Sequence, residues 1–143
     1  MPRIAAVDYG TKRVGLAVTD PLGLFARPVG TFDAKGAVDA LQRLAQGTGA
    51  DALTLVLVGW PLLPDGTEGA MVEKVRPYLN RLRNALPGVR VEPYDERTTS
   101  RRAQHALLAA GASKKGRRDK ARLNAAAAAV LLQDYLDEVG GQK

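Results

Sequence analysis

Two short apolar runs limit what this chain can build. Residues 3–8, Arg-Ile-Ala-Ala-Val-Asp, and residues 53–58, apolar apart from Thr54, are too short for buried helices and read as strands. The second has no polar side to give to water, so it must lie inside a sheet that is covered on both faces. The first ends on a carboxylate, Asp8, which a buried strand delivers to its C-terminal end. The residues around them supply the rest of such a sheet. Runs 14–19 and 26–32 follow closely, joined by Pro21-Leu22-Gly23, and the short connections predict a three-stranded antiparallel meander. After Asp33 the apolar spacing changes to three and four at Val38, Leu41, Leu44 and Ala45, a helix stopped by Gly47 and Gly49.

A second helix is expected over about 68–85, with Pro77 kinking or breaking it. Pro87-Gly88 ends it, and 89–94 reads as the fifth strand. Residues 99–110 read as a helix stopped by Gly111, 113–118 as a loop, and about 122–138 as an Ala-rich helix ended by Gly140-Gly141. The sum is an α/β chain with a mixed five-stranded sheet, a meander plus two parallel strands, and helices on both faces. At 143 residues it is expected to be one domain over 1–143. In such sheets ligands gather beyond the C-terminal strand ends, where Asp8, Gly59 and the pair Asp95-Glu96 all fall.

Composition removes several chemistries. With no Cys and one His, a disulfide scaffold, a thiol nucleophile, a Cys-type zinc site and Ser-His catalysis are poor fits. No run approaches the roughly 20 apolar residues of a membrane span, and the N-terminus shows no signal-peptide pattern, so a cytoplasmic protein with no membrane partner is expected. The net charge of +6 is unevenly placed: residues 97–122 hold nine basic residues against Asp119, giving +8, and the remainder carries −2. That window suits a polyanion such as nucleic acid, although a solvated basic loop has the same composition.

Asp8 is expensive to bury unless something compensates it: a cation, or an Asx-turn with the backbone of Gly10. Asp95 and Glu96 are strand neighbours and point to opposite faces, so one faces a site while the other holds a structural contact or caps the next helix; Glu96 is the preferred site member. Carboxylates from separate elements, without His or Cys, form a hard-oxygen set suited to Mg²⁺ or Mn²⁺. Beside a basic window, the matching chemistry is phosphodiester hydrolysis with two ions held about 3.5–4 Å apart. Lys12 and Arg13 are phosphate contacts or a solvated turn; Trp60 stacks on a base or packs beside Pro61; His105 is ordinary.

Four motifs carry a resemblance over essentially the whole chain: Asp8-Tyr-Gly-Thr-Lys-Arg-Val-Gly-Leu-Ala-Val-Thr-Asp20, Val58-Gly-Trp-Pro-Leu-Leu-Pro-Asp-Gly-Thr-Glu-Gly69, Tyr94-Asp-Glu-Arg-Thr-Thr99 and Leu132-Gln-Asp-Tyr-Leu136. In order and spacing they resemble the YqgF/RuvX family, small bacterial proteins described as RuvC-like Holliday junction resolvases and as nucleases for the 5′ end of pre-16S rRNA. The resemblance implies an RNase H-like fold, Asp8 as first-strand metal ligand and Glu96 as second acid. It makes Arg97, Arg101, Arg102, Lys114, Lys115, Arg117 and Arg118 substrate contacts. Near Gly59, where related resolvases carry an acid, the nearest one is Asp65. On the last helix the position of the family's Asp falls on Asn124, which offers a neutral oxygen. Asp119, five residues upstream, lies about 140° around a regular helix from Asn124 and reaches the same site only if the helix begins later and the chain bends.

The expected activity is therefore a metal-dependent nuclease of ribosome biogenesis, with RNA preferred and branched or single-stranded DNA as the alternative substrate, acting as monomer or homodimer. Two other classes compete: an actin-like ATPase, which needs two related domains where this length supplies one, and a non-catalytic RNA-binding module, which Asn124 keeps open.

Overall fold

In a computed structural model, residues 2–95 and 117–141 are described, and within the last helix the side chains of 124–140. Five strands form one sheet: β1 (Arg3–Tyr9), β2 (Val14–Thr19), β3 (Ala26–Phe32), β4 (Leu53–Trp60) and β5 (Arg90–Asp95). Their order is β3-β2-β1-β4-β5, antiparallel across β1, β2 and β3 and parallel across β1, β4 and β5. Helices α1 (Ala34–Leu44) and α2 (Ala70–Ala85) cover one face and α3 (Arg117–Gly141) the other. The apolar β4 is an interior strand between β1 and β5 and is buried except at Thr54, as its composition requires.

Strand alternation divides the interior in two. Ala5, Val7, Val14, Leu16, Val56 and Val58 pack under α1 and α2 against Val38, Leu41, Val72, Val75 and Leu82. Ala6, Ala17, Leu55 and Leu57 pack on the opposite face against Ala128, Leu131 and Leu132 of α3. The alanine run of α3 thus has a packing role: small side chains on both surfaces let the helix lie close to the sheet. The Asp33 side chain caps α1 by accepting from the Gly36 amide at 2.6 Å.

Two expectations need correction. Pro77 lies inside α2, which runs unbroken from Ala70 to Ala85. Its ring is on the exposed side, and buried Val72, Val75, Tyr78, Leu79 and Leu82 hold the helix across the missing amide bond. The last helix begins at Arg117 rather than near Arg122, so Arg117 and Arg118 belong to its first turn and not to a loop. No Pro or Gly follows Gly116 before Gly140, and nothing in that stretch stops a helix. The helix expected over 99–110, with His105, and the remainder of the loop at 113–116 lie outside the described residues.

The closest approach of α3 to the sheet is at Gly15. A Cβ built there would stand 1.9 Å from the Asn124 carbonyl oxygen and 2.8 Å from the Ala125 nitrogen. Only a glycine admits the helix backbone at this position. Gly15→Ala is therefore expected to destabilise the protein by about 2–4 kcal/mol, lowering Tm by about 10 °C. Gly140→Ala, with nothing within 4 Å of the added carbon, is expected to leave Tm unchanged or raise it slightly. Thermal melting followed by circular dichroism checks both; equal effects would contradict the close contact.

Candidate active site

Strand β1 pairs with antiparallel β2 on one side and parallel β4 on the other, which makes its C-terminal end a point where strand order reverses. Asp8 stands there. Ile4 and Ala6 face α3 while Ala5 and Val7 face α1 and α2, so alternation turns Asp8 toward α3. Directly across the β1–β2 pair is Gly15, on which the α3 backbone rests at Asn124. Asn124 shares a helix stripe with buried Ala128 and Leu131 and is itself half-buried. The fold thus brings Asp8 and Asn124 to the same place, with one glycine between strand and helix.

Desolvation raises the pKa of Asp8 to about 6, and no group among the described residues offsets the removal of its charge from water. The Asx-turn alternative is not formed: the Gly10 amide donates to the Arg13 carbonyl at 2.8 Å. Among the described residues the Asp8 carboxylate has neither a hydrogen-bond partner nor a cation. A buried anion without a partner, next to an amide side chain, is a donor set that fits a hard divalent cation. Among the described residues no group of three or more His, Cys, Asp or Glu converges, so further carboxylates for such an ion have to come from elsewhere in the chain.

The other sequence-derived residues divide as follows. Lys12 and Arg13 are in the β1–β2 turn just beyond Asp8, the first exposed and the second half-buried. Asp95 ends β5 in register with Trp60, and so belongs to the α1–α2 side of the sheet, away from Asp8. Asp65 is occupied in its own turn, where Oδ1 accepts from the Thr67 amide and hydroxyl at 2.9 and 2.6 Å. Trp60 is a packing residue, buried among the α1–α2 core. Asp119 and Asn124 are in one continuous helix, about 140° apart around its axis. Glu96, Arg97, Arg101, Arg102, Lys114 and Lys115 lie outside the described residues, as do the side chains of Arg117, Arg118 and Asp119.

Gly15 escaped notice in the sequence although a signal was present. A glycine inside a strand, seven residues after an acid that ends the neighbouring strand, marks a close backbone approach.

Comparisons with known proteins give the family and the fold. Residues 2–138 match the family described as RuvX: Holliday junction resolvase. A protein of Chlorobium luteolum named "Putative pre-16S rRNA nuclease" is 50% identical over 97% of this chain and 96% of its own length. One of the same name from Salinibacter ruber is 49% identical over 96% and 94%. Among solved structures, Thermus thermophilus RuvC in complex with a Holliday junction substrate aligns with a TM-score of 0.52 at 18% identity, covering 99% of this chain and 97% of that one. That likeness is one of fold and identifies the sheet and its helices as RNase H-like. With a family match across nearly the whole length and relatives of half-identical sequence, the chain belongs to the RuvX family and is a nuclease.

Proposed function

We propose that this nuclease cleaves RNA at the 5′ end of pre-16S rRNA, using a divalent metal site built from Asp8, Glu96 and Asn124. The observation that carries the site is the half-buried, desolvated carboxylate of Asp8 at the strand-order reversal, without a partner among the described residues, with α3 seated over the neighbouring Gly15. The names of the relatives support the substrate. Branched DNA is the second reading, favoured by the family description and by the RuvC likeness.

When bound, Mg²⁺ or Mn²⁺ supplies Lewis acidity, activating water at neutral pH and neutralising charge at the scissile phosphate. The chain itself sets the stage for this. Asp8 provides a fixed negative charge that the rigid β1 holds in place, Asn124 a neutral oxygen delivered by α3, and Glu96 the second charge, with Asp95 assigned to the other side of the sheet. We leave Asp119 out of the set, since a regular helix carries it about 140° around the axis from Asn124. Lys12, Arg13 and the basic residues of 97–122 hold the phosphate backbone and keep it against the acids. Nucleic acid affinity should accordingly fall steeply with salt.

One cleavage panel tests the assignment: labelled RNA, single-stranded DNA and a four-way junction, each with Mg²⁺, Mn²⁺ or EDTA. Wild type is expected to cut RNA with either metal and nothing in EDTA, and Asp8→Asn to lose at least about a hundredfold in rate while binding within about threefold of wild type. Equal cutting by Asp8→Asn, or no cutting by wild type with either metal, would refute the mechanism. Asn124→Asp is expected to lower the metal concentration needed for half-maximal rate, and Asn124→Ala to raise it; identical metal titrations for the three proteins would remove Asn124 from the site.

Asp8 also predicts a pH signature. Its pKa is about 6 in the fold and roughly 4 in the unfolded chain, so the folded state binds the proton more tightly. Its contribution to stability is fully present below about pH 4 and is lost as pH rises through about 6. Above that, in metal-free protein, the charged carboxylate costs about 2–3 kcal/mol. Asp8→Asn should therefore raise Tm by about 5–10 °C at pH 8, with the gain vanishing by pH 4. Added Mn²⁺ should raise the Tm of wild type and leave that of Asp8→Asn unchanged. A Tm difference independent of pH would contradict the desolvated Asp8 carboxylate.

A further inference from the structure

A cavity of about 400 Å³ opens on the α1 side of the sheet, where β1 begins. Val29 and Phe32 of β3 and Leu44 of α1 give it an apolar wall, and Arg3, Arg43 and Asp51 supply its charged lining. Arg3 and Asp8 are five residues apart, roughly 16 Å of strand, and alternation turns them to opposite faces. The cavity is therefore separate from the candidate active site. Its surroundings are fixed by backbone bonds: the Arg3 amide donates to the Ala52 carbonyl at 2.8 Å, and the amides of Asp51 and Ala52 close the preceding turn on the carbonyls of Thr48 and Gly49. The Phe32 ring lies over Gly30, where an added Cβ would stand 3.6 Å from Cε2 and Cζ.

Positive charge exceeds negative around this cavity. Arg3 pairs with Asp51 at 3.8 Å, and among the described residues Arg43 has no acidic partner. Arg27, two residues before Val29, is paired across the sheet with Val18; Ala17 and Ala26 face α3, so alternation turns Val18 and Arg27 to the side of Arg3. Arg27 is exposed and likewise has no acidic partner among the described residues. The nearby Asp20 is engaged in the β2–β3 turn, where Oδ1 accepts from the Leu24 and Phe25 amides at 2.8 and 3.2 Å. Three guanidinium groups thus stand against the one carboxylate of Asp51.

We propose that this cavity binds a nucleotide, with its phosphate on Arg43 and Arg3 and its base against Phe32 and Val29. A concave apolar wall with a few placed polar groups is the usual form of a small-molecule site, and the volume suits a ligand of this size. Guanidinium groups take phosphate through paired N–H bonds, and an aromatic ring offers its face to a planar base. Asp51 is placed to accept from a ribose hydroxyl or a base amine. The same chemistry is carried by a free mononucleotide and by a nucleotide of an RNA strand.

The test is calorimetric titration of the full-length protein in EDTA with adenosine 5′-monophosphate, adenosine, ribose 5-phosphate and a 5′-phosphorylated tetra-adenylate. The mononucleotide is expected to bind at least about tenfold more tightly than adenosine or ribose 5-phosphate. Arg43→Gln should weaken it at least about fivefold with Tm unchanged, whereas Arg81→Gln, an exposed arginine of α2 outside the cavity, should leave it within about twofold. Methyl resonances of Val29 and Leu44 should shift on binding, and those of Leu131 and Leu132 beneath α3 should not. A mononucleotide bound as tightly as the tetranucleotide assigns the site to a free nucleotide; tighter tetranucleotide binding that Arg43→Gln removes assigns it to a strand. No saturable binding of either, equal losses in Arg43→Gln and Arg81→Gln, or methyl shifts confined to the α3 side would overturn the site. With metal absent throughout, each result is independent of the cleavage panel.

Discussion

Everything assigned to this molecule depends on a helix backbone lying directly on a strand backbone at Gly15. Helices normally stand off a sheet by the thickness of two side-chain layers. Here the layer is absent at one position and is thinned around it to Ala6, Ala17 and Ala128, with buried Ala125 beside Gly15. That sets the height of α3 over β1 and β2, and it brings Asn124 to the residue opposite Asp8. The carboxylate is then desolvated between sheet and helix with no cation beside it among the described residues, and that desolvation raises its pKa to about 6. A structure that leaves a charge uncompensated in this way has given up stability at a place where a ligand can restore it.

The remaining contacts fix the same helix at its other end. Gln133 accepts from the Ala26 amide at 2.9 Å at one edge of the sheet, and Tyr94 donates to Glu138 at 2.6 Å at the opposite edge. Tyr94 and Tyr135 meet edge to face there. With Gly15 as the third point, α3 cannot rotate or slide without breaking a hydrogen bond or clashing with β2. Position 124 is therefore defined by contacts spread over the whole sheet, whereas Asp8 is defined by one strand.

Much of the fold was legible because it rests on local patterns. The switch from continuous apolar runs to three- and four-residue spacing after Asp33 marked the boundary between meander and helix, and the apolar 53–58 run marked the central strand. Pro77 misled because its cost was weighed without the five buried side chains that hold α2 together. The start of α3 misled because a dense run of positive charge reads as loop, although none of its residues stops a helix. For the site, Asp8 was visible as an acid ending an apolar strand. Its lack of a partner among the described residues was not, since that depends on Gly10 using its amide on Arg13. The contacts that hold Trp60 were equally hidden, because Glu68 and Arg76 become neighbours of the indole only once α2 has packed.

The central claim is that Asp8 and Asn124 share one divalent cation site. Crystals of the wild-type protein grown with Mn²⁺ and measured for anomalous scattering test it directly. The account predicts an anomalous peak within bonding distance of the Asp8 carboxylate, on the side of β1 that faces Asn124, and its loss in Asp8→Asn. Mn²⁺ bound elsewhere, with the Asp8 carboxyl protonated and hydrogen-bonded to a protein group, would contradict it.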